Sequence, residues 1–143
     1  MRALAKLSQG ERIVLIGGLA LIVDLLVLPW HSVDLGDLDI AFDPTRTGVQ
    51  EPNAAYGVVA MILASIMVLQ IVIARLTPAR LPGSPMLWAQ VHLIAGVFVA
   101  VVLVVKLFRE TELLGYGAYS GVLGGILVAY GGYCVARAAG SPA

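Results

Sequence analysis

Asp24 is the residue whose type and position ask most of chemistry. It stands inside the apolar run Ile13–Trp30, and Lys106 stands near one end of another, Leu87–Phe108. A carboxylate in hydrocarbon costs about 2.5–3.5 kcal/mol on insertion scales, so it must be neutral, paired or facing water. Six residues before Trp30, at a rise of about 1.5 Å per residue, place Asp24 roughly 9 Å below a membrane surface. Lys106 differs from it in depth by roughly 6 Å, within reach of a lysine stem. Two kinds of chemistry follow. One is a structural ion pair or hydrogen-bonded acid, with Lys106 or a tyrosine among Tyr116, Tyr119, Tyr130 and Tyr133 as partner. The other is a proton- or cation-coupled transport site.

Gln70 and His92 make a second pair by depth, on consecutive apolar runs and near the opposite surface. An interhelical hydrogen bond is the plain reading. Haem or metal ligation would need a second imidazole at that depth, and His31 lies at the other surface. Ser65 and Ser120 have no neighbouring base, and no GxSxG, HExxH or CxxC occurs, so no enzyme activity, cofactor or metal is expected. The aspartates at 34, 37, 39 and 43 lack the spacing of an EF-hand loop and read as a solvated acidic face. The single cysteine, Cys134, excludes an intramolecular disulfide and reads as a buried thiol near a helix end, where palmitoylation is the alternative.

The elements that hold these residues follow from composition. Apolar residues are 59% and charged residues 13% of 143, against roughly 45–50% and 25% in soluble domains. The mean hydropathy is +0.93. A water-soluble enzyme, a disordered tail and a disulfide scaffold are excluded. Nine basic and nine acidic side chains cancel, which leaves no field for nucleic acid. The expected fold is an all-α membrane protein. It is a single domain, 1–143, forming a four-transmembrane-helix bundle with spans at about 13–30, 56–74, 87–108 and 116–136.

Local signals support the span ends. Ser8-Gln9-Gly10-Glu11 has the form of a capping box, and Ser84-Pro85 suits an N-cap followed by proline. Pro29-Trp30 ends the first span, and Trp88 anchors the third. The first span is too long for a signal peptide, and LPWHSVD offers no cleavage site, so it is expected to be retained. Pro78, Pro82 and Pro85 stiffen the connector between spans two and three.

Charge sets the orientation. Arg2, Lys6, Arg12, Arg75, Arg80 and Arg137 fall on one side with Glu11. Arg46, Lys106 and Arg109 fall on the other, with Asp34, Asp37, Asp39, Asp43, Glu51, Glu110 and Glu112. Both termini are therefore expected in the cytoplasm. The outer loop, 31–55, is expected to carry a short strand or hairpin. Leu38, Ile40 and Phe42 alternate with aspartates over Asp37–Asp43, and Thr47–Gln50 is a candidate second strand.

Span four presents Gly117, Gly121, Gly125 and Ala129 at four-residue spacing, a helix-packing face broadened by Gly124, Gly131 and Gly132. Ala60, Ala64, Gly96 and Ala100 offer small partners on spans two and three.

Three segments, LSQGERIVLIGGLALIVDLLVLPWHS at Leu7–Ser32, WAQVHLIAG at Trp88–Gly96 and GYGAYSGVLGG at Gly115–Gly125, together resemble a group of small, uncharacterised four-span integral membrane proteins of actinobacteria. The resemblance covers most of the chain. It implies topology, and no activity or site residue. Small multidrug transporters also have four spans and an acid in the first, but shorter loops and a different pattern around the acid.

The expected function is that of a non-enzymatic multi-pass protein of the bacterial plasma membrane, an accessory or interaction subunit of the cell envelope. Its partners would be the lipid bilayer and either further copies of itself or other membrane proteins. The competing expectation is a small oligomeric proton- or cation-coupled transporter or channel that uses Asp24.

Overall fold

In a computed structural model the chain forms α1 (Gln9–Val27), β1 (Pro29–Ser32), β2 (Thr45–Thr47), α2 (Ala54–Leu76), α3 (Pro85–Arg109) and α4 (Tyr116–Gly140). The structure describes residues 7–32, 45–51, 53–79, 81–109 and 114–140. The strand expected at Asp37–Asp43 lies outside them.

Each helix begins where its local chemistry allows. Ser8 caps α1 by accepting the Glu11 N–H at 3.2 Å, while the Glu11 carboxylate takes the Ser8 N–H at 2.7 Å. Ser84 caps α3, its hydroxyl accepting the Leu87 N–H at 3.2 Å. The start of α2 is different. Asn53 precedes it in the left-handed conformation and makes no side-chain cap.

The first helix ends earlier than the apolar run suggests, at Val27 rather than Trp30. Leu28 donates to the Asp24 carbonyl at 3.0 Å and then turns extended, with φ −80° and ψ 143°. Pro29 dictates this, because its ring clashes with a preceding helical turn and biases Leu28 away from helix. Pro29 and Trp30 consequently belong to a strand. β1 pairs antiparallel with β2, with Ser32 opposite Thr45 and Pro29 opposite Thr47. The second strand is therefore Thr45–Thr47, and Gly48-Val49 is the turn that follows it. Gly115 N–H donates to Trp30 O at 2.8 Å, which ties the start of α4 to the same hairpin.

Consecutive helices run antiparallel, with α1 packed between α2 and α4 and α3 on the opposite corner between the same two. One end of the bundle carries the start of α1 and α3 and the finish of α2 and α4; Glu11 meets Arg75 there. The other end is closed by the hairpin, which drives Trp30 fully inside. Leu21, Leu25, Met67, Ile71, Val99, Leu103 and Val128 fill the centre.

Three helices, α2, α3 and α4, are long and apolar enough to cross a membrane, so the chain is a multi-pass membrane protein. α1 is set apart by its charges, since Glu11, Arg12 and Asp24 all fall within its 19 residues.

The small residues of α4 serve two neighbours, not one. Gly117, Gly124 and Gly131 lie against Leu28, Leu21 and Val14 of the α1 segment. Gly125 lies against Leu103 and Ala100, Ala129 against Gly96, and Gly132 against the His92 backbone, all on α3. Helix geometry accounts for the split. A four-residue step overshoots one turn by about 40°, so the row Gly117, Gly121, Gly125, Ala129 winds from one neighbour to the next. A seven-residue step drifts only about 20° and stays on one of them. Ala64 packs near Gly18 of α1.

Candidate functional site

The described polar side chains buried in the bundle fall into two clusters. At the hairpin end, Asp24 is 4% exposed, and its carboxylate accepts from two donors. One is the Trp30 indole N–H, at 3.1 Å. The other is the Ser120 hydroxyl on α4. Both donors are placed by features already described. Pro29 stops the helix so that the indole folds back onto the turn containing Asp24. Gly121 leaves room for it, since a Cβ there would stand 2.7 Å from Asp24 Oδ2 and press on the Trp30 ring.

Lys106 is completely buried, yet it does not meet the Asp24 carboxylate. Its ammonium sits over the Trp30 ring, 5.4 Å from the centroid, and donates to the Asn53 carbonyl at 3.3 Å. Asp24 and Lys106 thus touch the same indole, one at its N–H edge and one at its face. This cation–π arrangement suits a cation drawn out of water. The tyrosines considered as partners for Asp24 instead point outward, Tyr116 and Tyr119 at one end of α4 and Tyr130 and Tyr133 at the other.

At the opposite end, His92 Nε2 lies 2.7 Å from Gln70 Oε1. The amide oxygen can only accept, so Nε2 carries the proton. His92 Nδ1 then holds a lone pair, sealed from solvent and without a hydrogen-bond partner. Nearby, Arg75 Nε donates to Glu11 Oε1 at 2.8 Å, linking α2 to α1. A half-open cavity of about 550 Å³ lies between the four helix ends, with Glu11, Gln70, Arg75, Trp88 and His92 on its walls. Its rim is firm. The Trp88 indole donates to the Pro82 carbonyl at 2.9 Å, and Gly83, at φ 102°, makes the turn that allows it.

Glu11 lies on the first turn of α1, ahead of the apolar stretch that starts at Ile13. Burial raises its pKa, but hydrogen bonds from the Ser8 backbone and Arg75, helped by the Ser8 side chain and the guanidinium charge, outweigh that and hold it below the ordinary glutamate range. The sign for stability follows. A depressed folded-state pKa contributes stability at neutral pH, and the contribution is lost as pH falls through that lowered value. Thermal unfolding in detergent, compared between about pH 7 and about pH 3, is therefore expected to show a larger loss on acidification for the wild type than for Glu11→Gln. An equal loss in both would remove Glu11 from the account.

Between the two clusters the buried side chains are apolar among the described residues. Glu11 and Asp24 are thirteen residues apart on α1, or about 20 Å along the axis. Leu21, Ala64, Met67, Val99, Leu103 and Val128 occupy the interval. No group of three potential metal ligands occurs among the described residues.

No family model, no curated protein and no solved structure matches this chain.

Proposed function

We propose that this chain is a four-span, non-enzymatic membrane protein that acts as an accessory or interaction subunit, with both termini in the cytoplasm of a bacterial cell. The observation that carries the reading is how the polar groups are spent. Asp24 is held by Trp30 and Ser120, Gln70 by His92, and Glu11 by Arg75, with about 20 Å of apolar side chains between the two ends. A conduction pathway needs a continuous polar or hydrated lining, whereas the buried side chains between the two ends are apolar among the described residues. Intramembrane acids often mark transport. Here the acid has a structural task, fixing the hairpin plug to α1 and α4.

The inclusion of α1 among the spans rests on where its two acids lie, with Arg12 exposed on its first turn, ahead of the apolar stretch. Glu11 and Asp24 are buried against the other helices. The outward face is Ile16, Leu19, Val23, Leu26 and Val27, apolar side chains that match lipid. The outward tyrosines of α4 form pairs fourteen residues apart, Tyr116 with Tyr130 and Tyr119 with Tyr133. That is about 21 Å of helix, a spacing that suits aromatic anchors toward the two interfaces. The basic residues near the α1 and α3 starts favour that end for the cytoplasm.

Reconstitution tests the reading against its transport rival. Purified protein in proteoliposomes is expected to show no proton or cation flux above empty vesicles. Asp24→Asn is expected to stay folded and to lose about 1–2 kcal/mol, since it disturbs the pair of hydrogen bonds and leaves the packing. Flux in the wild type that disappears in folded Asp24→Asn would replace the accessory reading with the transporter.

A further inference from the structure

The cavity at the Glu11–Arg75 end has side-chain hydrogen-bonding capacity of mainly one kind left over. Its side-chain acceptors are occupied. Glu11 Oε1 takes Arg75 Nε, Glu11 Oε2 takes the Ser8 N–H, and Gln70 Oε1 takes His92. His92 Nδ1, which is still unpaired, is sealed away from solvent. Donors remain. The two terminal amino groups of Arg75 and the amide N–H groups of Gln70 have no partner among the described residues. The Arg75 side chain is 51% exposed, while the Glu11 side chain that holds it is 11% exposed.

We propose that this cavity binds a phosphate ester, with Arg75 and Gln70 donating to the phosphate oxygens. Glu11 engages the guanidinium at Nε, which fixes its plane and leaves the terminal amino groups for an oxyanion. Arginine recognises phosphate through such paired N–H groups. A tetrahedral phosphate keeps further oxygens for the Gln70 amide. The volume, about 550 Å³, accommodates a phosphate with a glycerol-sized substituent. Leu81, Pro85, Ala89, Val135 and Ala138 supply apolar wall for the carbon portion. The site is separate from the Asp24 cluster and does not depend on the accessory reading.

A phospholipid headgroup and a soluble phosphate ester both carry this chemistry, and the test separates them. Full-length protein in detergent micelles would be titrated with dioleoylphosphatidylglycerol and, separately, with glycerol phosphate, and binding read by native mass spectrometry and by the shift in unfolding temperature. Binding of phosphatidylglycerol alone assigns the site to a membrane lipid; binding of glycerol phosphate assigns it to a soluble ester. In either case Arg75→Gln is expected to weaken binding about ten- to hundredfold, the scale of a lost hydrogen bond to a charged group. Ala138→Trp, at an exposed wall position, should weaken it comparably by obstruction while all the polar groups remain. Absence of binding in both arms, or binding unchanged in both variants, overturns the proposal.

Discussion

Trp30→Ala is expected to destabilise the protein by about 3–5 kcal/mol, the range for removing a fully buried aromatic side chain. Trp30 is 0% exposed and lies at the junction of β1, α1 and α4. Its loss does three things together. It leaves a cavity against Leu25, Gly48 and Gly121, it removes the N–H that Asp24 accepts, and it takes away the ring under Lys106. The last two matter beyond packing, because a buried acid and a buried ammonium each lose a partner. Trp30→Phe separates the contributions. It retains most of the volume and a ring for Lys106 but not the N–H, and should cost about 1–2 kcal/mol. Unfolding of both variants in the same detergent measures the two values. A Trp30→Ala variant within about 0.5 kcal/mol of wild type, the scatter of ordinary surface changes, would show that the hairpin plug does not hold the bundle.

Gly121→Leu carries the next largest expected effect, about 1–3 kcal/mol from overpacking. The position has no slack, since its Cβ alone would crowd the Trp30 ring and stand 2.7 Å from Asp24 Oδ2. Relief requires the indole to swing out, which breaks the hydrogen bond to Asp24. Gly140→Leu is the control on the same helix, because no described residue lies within 4 Å of its Cβ position. Helix propensity works the other way at Gly121, since replacing a glycine inside a helix gains roughly 1 kcal/mol at most, so a net loss there reports close approach. Equal unfolding temperatures for the two variants would contradict the packing described for α4.

Much of the helical architecture was legible in the sequence, because hydropathy, capping residues and prolines are local signals. Ser8 and Glu11 form the reciprocal cap their spacing implies, and Gln70 and His92 meet because equal depth on adjacent antiparallel helices leaves them little choice. The partner of Asp24 was not legible in the same way. Depth alone favoured Lys106 or a tyrosine, whereas the actual donors, Trp30 and Ser120, depend on a chain reversal after Leu28 and on the rotation of α4. Proline directly before the tryptophan was the available signal. It reads as a helix end with an interfacial anchor, and only tertiary packing turns that anchor inward. The glycine row shows a related limit. Four-residue spacing suggests one face, but the accumulating rotation shares its members between α1 and α3. The Glu11–Arg75 contact spans 64 residues, and nothing local in the chain announces it.

The central claim is that α1 crosses the membrane with its two acids, Glu11 and Asp24, turned inward and Arg12 exposed on its first turn, so that four helices span and both termini share a side. Its most direct measurement is labelling of single cysteines by an impermeant thiol reagent in intact cells, on a Cys134→Ala background. Gln9→Cys and Ser32→Cys flank α1 at exposed positions, and Ala79→Cys marks the connector between α2 and α3. The account predicts labelling at position 32 from outside, and at positions 9 and 79 only after the cells are opened. Labelling of positions 9 and 32 from the same side would contradict it, because α1 would then lie on the membrane without crossing it.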